Sequence, residues 1–175
     1  MQKLIRKRRR NSKTDYRSRA AMLKGGMPRL VVRKSNRSVT VQLIEYDPQG
    51  DRTVAIARSN ELKGKGWEPR CNIPTAYLTG MLLAGKSKSD KEATLDIGLT
   101  RPIKGSVIFA AAKGFQDAGG KLRGSIEFEE KRLGGEHIGA YAGINDKMFS
   151  AYTKAGFDAK NIKTKFDDIR NSLKK

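Results

Sequence analysis

"RLVVRKSNRSVTVQLIEY" (residues 29–46) decides how the rest of this chain is read. Within it Val39, Val41 and Leu43 alternate with Ser38, Thr40 and Gln42, the period-two pattern of a strand with one buried face. "RLVVRKS" (29–35) is a shorter run, apolar in its middle, and the "KSN" between the two (34–36) is a turn signal, so the stretch predicts a β-hairpin. "DPQGD" (47–51) is a second turn. "RTVAIARS" (52–59) alternates again, setting Val54 and Ile56 on the covered face against Thr53 and Ala55. The result is a three-stranded antiparallel meander with one face to bury.

The covering elements follow downstream. "NELKGKGWEPR" (60–70) reads as a loop. "NIPTAYLTGMLLAGKSKS" (72–89) places Ile73, Ala76, Tyr77, Gly80, Met81 and Ala84 at helical spacing, with Pro74 suited to a first turn. "ATLDIGL" (93–99) is a buried strand. "RPIKGSVIFAAAKGFQDAGG" (101–120) is a loop and then a helix, with Ser106 as N-cap and Ile108, Ala111, Ala112 and Phe115 as its inner stripe. The order β-β-β-α-β-α predicts an α/β three-layer sandwich with a mixed sheet. Beyond residue 121, Ile144, Met148, Ala151, Tyr152 and Ala155 form one helical stripe over 144–156. Ile162, Phe166, Ile169 and Leu173 form another. Neither helix buries its stripe alone, so this tail must pack on the domain or on a partner. The expected division is a basic arm with a short helix at 1–25, an α/β core at 26–120 and a helical extension at 121–175.

Upstream of the hairpin the composition changes. The chain has a formal net charge of +19, and residues 1–37 hold 14 of its 37 Lys and Arg but one of its 18 acids. An excess of this size opposes compaction unless an anion neutralises it. Its asymmetry describes an arm that meets a polyanion, attached to a nearly balanced domain. Nucleic acid is the favoured partner and an anionic membrane surface the second. Residues 1–13 lack apolar periodicity and read as an extension that is disordered when free. Residues 14–24 read as a short helix with Thr14 as N-cap and Asp15 in the first turn, stopped by "GGMP" with Gly25 or Gly26 at positive φ. No apolar run reaches about 18 residues, and the basic start has no apolar segment behind it, so neither a membrane span nor a secretory signal is expected. The single cysteine, Cys71, excludes a disulfide framework and fits a reducing compartment.

The candidate binding residues follow this charge. In the arm they are Arg6, Lys7, Arg8, Arg9, Arg10 and Lys13, with Thr14, Tyr16, Arg17 and Arg19 after them; then Arg29; then the hairpin tip Arg33, Lys34, Ser35, Asn36 and Arg37. Cations there neutralise phosphates and release counterions, and a rigid turn carrying cations probes a backbone or a groove. Thr14 serves first as a cap. Tyr16 either stacks on an unpaired base or anchors the arm on the core. A second group is Lys63, Lys65 and Trp67, in which Trp67 either closes the edge of the core, the plainer reading, or stacks on a base. Lys104 and Ser106 head a helix, whose free N–H groups attract phosphate, although a plain N-cap needs nothing more.

Enzymatic readings fare poorly. Two-metal phosphodiester cleavage needs converging carboxylates, yet the first strand has none, and Asp96 is the one acid inside a central strand, better suited to a structural hydrogen bond. His137 is the only histidine, so no His-based metal cluster exists. No catalytic residue, metal or cofactor is expected.

"KTDYRSRAAMLKGGMPRLVVRKSNRSVTVQLIEYDPQGDRTVAIARS" (13–59) resembles the universal 5S rRNA-binding family of large-subunit ribosomal proteins, number eighteen, in its archaeal form. "NIPTAYLTGMLLAGK" (72–86), "ATLDIGL" (93–99), "GSVIFAAAKGFQDAG" (105–119) and "GEHIGAYA" (135–142) continue the likeness in order, so it covers roughly residues 6–142. The resemblance implies a ribonuclease-H-like mixed-sheet sandwich and a structural role in the central protuberance of the cytoplasmic ribosome. It implies contacts with 5S rRNA, large-subunit rRNA and neighbouring ribosomal proteins, with no membrane or DNA partner. A ribonuclease-H-like nuclease and a stand-alone nonspecific RNA-binding protein are the alternatives.

Overall fold

Residues 29–46 form the expected hairpin in the computed structural model, which describes residues 5, 7–11, 13–87 and 89–174. Strand β1 (Arg29–Lys34) pairs antiparallel with β2 (Val39–Glu45), setting Leu30 opposite Leu43 and Val32 opposite Val41. The connecting turn is closed by two serines: the Ser35 N–H donates to the Ser38 carbonyl at 2.8 Å, and the Ser38 N–H donates to Ser35 Oγ at 3.1 Å. Strand β3 (Arg52–Arg58) runs antiparallel to β2, and β4 (Thr94–Asp96) runs parallel to β1, giving a mixed sheet of order β3-β2-β1-β4. The element order and the mixed sheet are those the sequence predicts.

One face of this sheet is fully apolar: Leu30, Val32, Val39, Val41, Leu43, Ala55 and Ala57 are all buried. Here β3 differs from expectation, since Ala55 and Ala57 point inward and Val54 and Ile56 are half-buried. The cause is the pairing with β2: Leu43 faces Ala55 and Val41 faces Ala57, so the alanines share the covered face and Val54 and Ile56 do not. Next to that run Ile44 faces Thr53, leaving Val54 as the extra residue of a β-bulge.

Helices α1 (Lys7–Arg10) and α2 (Tyr16–Lys24) precede the sheet; α3 (Ile73–Lys86) and α4 (Val107–Asp117) cover its apolar face, α3 over β2 and β3, α4 over β1. The single turn of α1 stands where no element was expected, and none of its residues is buried. Asn72 caps α3 by accepting the Thr75 N–H at 3.0 Å, and Pro74 sits in the first turn, where no N–H is missed. The backbones of α3 and α4 touch. A Cβ on Gly80 would lie 1.9 Å from the Ala111 carbonyl oxygen, and one on Gly114 would lie 2.0 Å from that of Tyr77. Ser106 precedes α4 as expected, but its hydroxyl makes no capping bond. The 60–70 loop contains a 3-10 helix, Ser59–Lys65, which buries Leu62 and ends at Gly66 with φ 78°.

The C-terminal region forms a further layer on α3. Helix α8 (Ile162–Leu173) buries Ile162, Phe166 and Ile169, as its stripe predicts. The Phe166 ring lies 5.5 Å from that of Tyr77 and 6.5 Å from that of Trp67. One apolar cluster runs from Leu30 to Ile169. Residues 144–156 do not form the single expected helix. After α5 (Glu130–Leu133), α6 (Glu136–Ile144) ends where that helix was to start, followed by a 3-10 turn (Asp146–Phe149) and α7 (Ser150–Lys154). Ala142 on α6 and Tyr152 on α7 are buried, whereas Ile144 at the end of α6 and Met148 in the 3-10 turn are largely exposed.

Candidate nucleic-acid interface

The arm is tied to the sheet by a chain of five charges. Arg19 on α2 donates to Asp51 Oδ2 at 2.7 Å, and Arg29 donates to the same oxygen at 2.7 Å. The second Nη of Arg29 donates to Asp96 Oδ2 at 3.1 Å. Arg33 donates to the Asp96 carbonyl at 3.2 Å and pairs with its Oδ1 at 3.5 Å, and the Gly98 N–H donates to that Oδ1 at 2.9 Å. Elements far apart in sequence are thereby fixed together: α2, the β2–β3 turn, the head of β1 and the end of β4. Burial pushes the Asp51 carboxyl up, but the hydrogen bond from Arg19 and the charge of Arg29 outweigh it and hold Asp51 below the ordinary carboxylate value. Asp96 is the structural hydrogen-bonding group that its position in a central strand suggested.

Arg29 requires a correction. Its side chain is 3% exposed and both Nη groups serve carboxylates, so it cannot reach an external phosphate without breaking a buried ion pair. Thr14 requires another. Asp15 is the N-cap of α2: its Oδ1 accepts the N–H groups of Arg17 at 2.9 Å and Ser18 at 3.2 Å, a charged acceptor being the stronger partner for the helix start. The Thr14 hydroxyl instead accepts from Arg8 Nε at 3.0 Å and fastens α1. Gly26, at φ 63°, lies past the helix end as expected.

The remaining arm cations stand out in solvent. Lys7, Arg8, Arg9, Arg10, Lys13 and Arg17 are exposed, and none pairs with an acid among the described residues. Arg6 lies outside the described residues, and Tyr16 is half-buried. At the hairpin tip Lys34, Asn36 and Arg37 are exposed, and the Ser35 hydroxyl is committed to the turn. The arm and the uncovered face of the sheet enclose a cleft of about 440 Å³, into which Arg8, Lys13 and Arg33 converge. Spacing alone brings none of these together.

The second group lies elsewhere. Lys63 is 3.9 Å from Glu68 and Lys65 is exposed. Trp67 is 1% exposed, donates its indole N–H to Thr75 Oγ1 at 2.9 Å and meets Phe157 edge-on at 5.3 Å. It closes the core, as its plainer reading had it, and offers no face to a base. Lys104 is exposed; the Ser106 Oγ is buried without a partner. None of these lines the cleft. Sequence reasoning missed Asp51 and Leu99, which do; Gln42, which also does, lies on the polar face of β2, which the sequence alone leaves either against an RNA backbone or solvated. Nothing local couples Asp51 to Arg19, 32 residues away.

An α/β protein whose nearby carboxylates are engaged internally, while Lys7, Arg9, Arg10, Lys13, Arg17, Lys34 and Arg37 meet no acid among the described residues, has the charge layout of a polyanion-binding protein. Among the described residues no three His, Cys, Asp or Glu gather to hold a metal, and no helix is long and apolar enough to cross a membrane. Residues 2–92 match the family described as ribosomal large subunit proteins 60S L5 and 50S L18. The large ribosomal subunit protein uL18 of Halobacterium salinarum is 44% identical, over 95% of this chain and 92% of the relative. That of Desulfurococcus amylolyticus is 40% identical, over 98% and 93%, and that of Methanococcus maripaludis 41%, over 95% and 93%. The chain belongs to this family of large-subunit ribosomal proteins, as the resemblance in its sequence implied, and its relatives are ribosomal proteins rather than enzymes.

Proposed function

We propose that this protein binds 5S rRNA and holds it against the large-subunit rRNA in the central protuberance. The observation that carries the reading is the convergence of arm and hairpin cations on one cleft, with Asp51 and Asp96 already neutralised by arginines. Phosphate contacts by exposed Lys and Arg supply affinity, and the rigid hairpin and the α2 tether supply orientation. The binding set is the arm cations, Tyr16, the hairpin tip and Arg33; Arg29 and Trp67 support it from within. In this proposal the chain works as an arm at 1–25, a core at 26–120 and an extension at 121–175 that docks on neighbouring rRNA or ribosomal proteins. The exposed apolar side chains of Tyr141, Ile144 and Met148 support such docking by the extension.

A gel-shift titration with 5S rRNA and an unrelated structured RNA of equal length, at two salt concentrations, tests the reading. Preference for 5S rRNA that persists at the higher salt is expected. Equal binding to both RNAs overturns it and leaves only nonspecific electrostatics.

A further inference from the structure

The uncovered face of the sheet holds a site that charge does not explain. Val31 points away from the α3–α4 layer, yet is only 4% exposed, because the arm stands over it. Beside it Ile44 and Met22 are half-buried. Leu99 lies at the same cleft with 59% of its surface exposed, an apolar side chain without a core to join. Between these apolar walls Gln42, opposite Val31 in the register, has its side-chain amide unpaired among the described residues. That amide is open to water, and an incoming group that offers both an acceptor and a donor can replace the water at both ends. Aliphatic walls, one two-sided hydrogen-bonding group and flanking cations together suit the apolar face, the edge and the phosphate of an unstacked nucleotide. The volume, about 440 Å³, falls in the range of small-ligand pockets.

We propose that this cleft receives one unpaired nucleotide of the bound RNA. The base lies between Leu99 and the Val31–Ile44 floor, Gln42 reads its edge, and Arg8, Lys13 and Arg33 hold its phosphate. This rests on the RNA-binding function proposed above and names the mode of recognition at that site. It explains why the arm is tethered over the sheet rather than left free. The Arg19–Asp51 pair keeps the cleft's second wall in place.

The test uses the full chain, 5S rRNA and the variants Gln42→Leu and Leu99→Ala. Gln42→Leu preserves size and removes both hydrogen-bonding groups, so affinity falls about tenfold while the salt slope is unchanged, since no phosphate contact is lost. Leu99→Ala, at an exposed position whose truncation leaves the core intact, weakens binding about threefold. In a chemical footprint, one base is protected in the wild-type complex and becomes reactive in the Gln42→Leu complex. Wild-type affinity in both variants with an unchanged footprint overturns the proposal. So does a free mononucleotide binding as tightly as 5S rRNA. Loss of 5S preference in the wild-type protein would instead remove the function above, so the two failures are distinguishable.

Discussion

Arg29 and Arg37 stand eight positions apart and look alike in sequence, yet their surroundings give them opposite roles. Arg29 bridges Asp51 and Asp96 from within the fold, whereas Arg37 is exposed at the hairpin tip without an acid partner among the described residues. Arg29→Met leaves the buried Asp96 with only the longer 3.5 Å pairing to Arg33, so chemical denaturation should show a loss of about 3 kcal/mol. Arg37→Ala should leave stability within about 0.5 kcal/mol and lower the slope of log affinity against log salt by about 1. Asp51 adds a pH dependence. Its folded pKa lies below the ordinary 3.8, so its contribution is complete above that value and lost as pH falls through the lowered one. The stability gap between wild type and Asp51→Asn, measured from pH 6 to pH 2, should therefore hold steady down to about pH 4 and then close.

The α3–α4 contact shows how elements depend on what a residue lacks. Gly→Ala on an exposed helix gains about 1 kcal/mol. Here Gly80→Ala and Gly114→Ala each drive a methyl into a backbone carbonyl of the other helix, and denaturation should show each losing about 2–3 kcal/mol instead. The β1–β2 hairpin was legible because a period-two pattern and a short polar turn are local signals. The facing of β3 was not, because it is set by which β2 residues its own residues pair with, Ala55 with Leu43 and Ala57 with Val41. The same holds for 144–156. Its helical spacing is visible in sequence, but the chain there divides into the end of α6, a 3-10 turn and α7, and Ile144 and Met148 fall outside the core.

At the scale of the whole molecule, the arm and the C-terminal layer have opposite relations to the core. The turn Lys7–Arg10 buries none of its residues, and Arg8 fastens it to Thr14. Removing residues 1–12 should leave the thermal transition in place, weaken 5S rRNA binding and reduce the salt slope by as much as about 5, as six cations are lost. A collapse in thermal stability would show that the arm belongs to the core. Phe166, by contrast, packs against both Tyr77 and Trp67. Phe166→Ala should cost about 3–5 kcal/mol, measured by denaturant titration, although it lies far from the proposed RNA site.

The sequence by itself determined the α/β class, the order of strands and helices, the excess of cations near the start and the ribosomal family. All of these rest on local periodicity, composition or ordered motifs. Only the tertiary structure decided which arginines are free and which are locked, which face of β3 is covered, and that the arm and the sheet enclose a cleft around Gln42. Those outcomes depend on pairings between residues 32 and 67 positions apart, such as Arg19 with Asp51 and Arg29 with Asp96. A buried ion pair forms where folding brings two charges together and removes water, and no local pattern encodes that meeting.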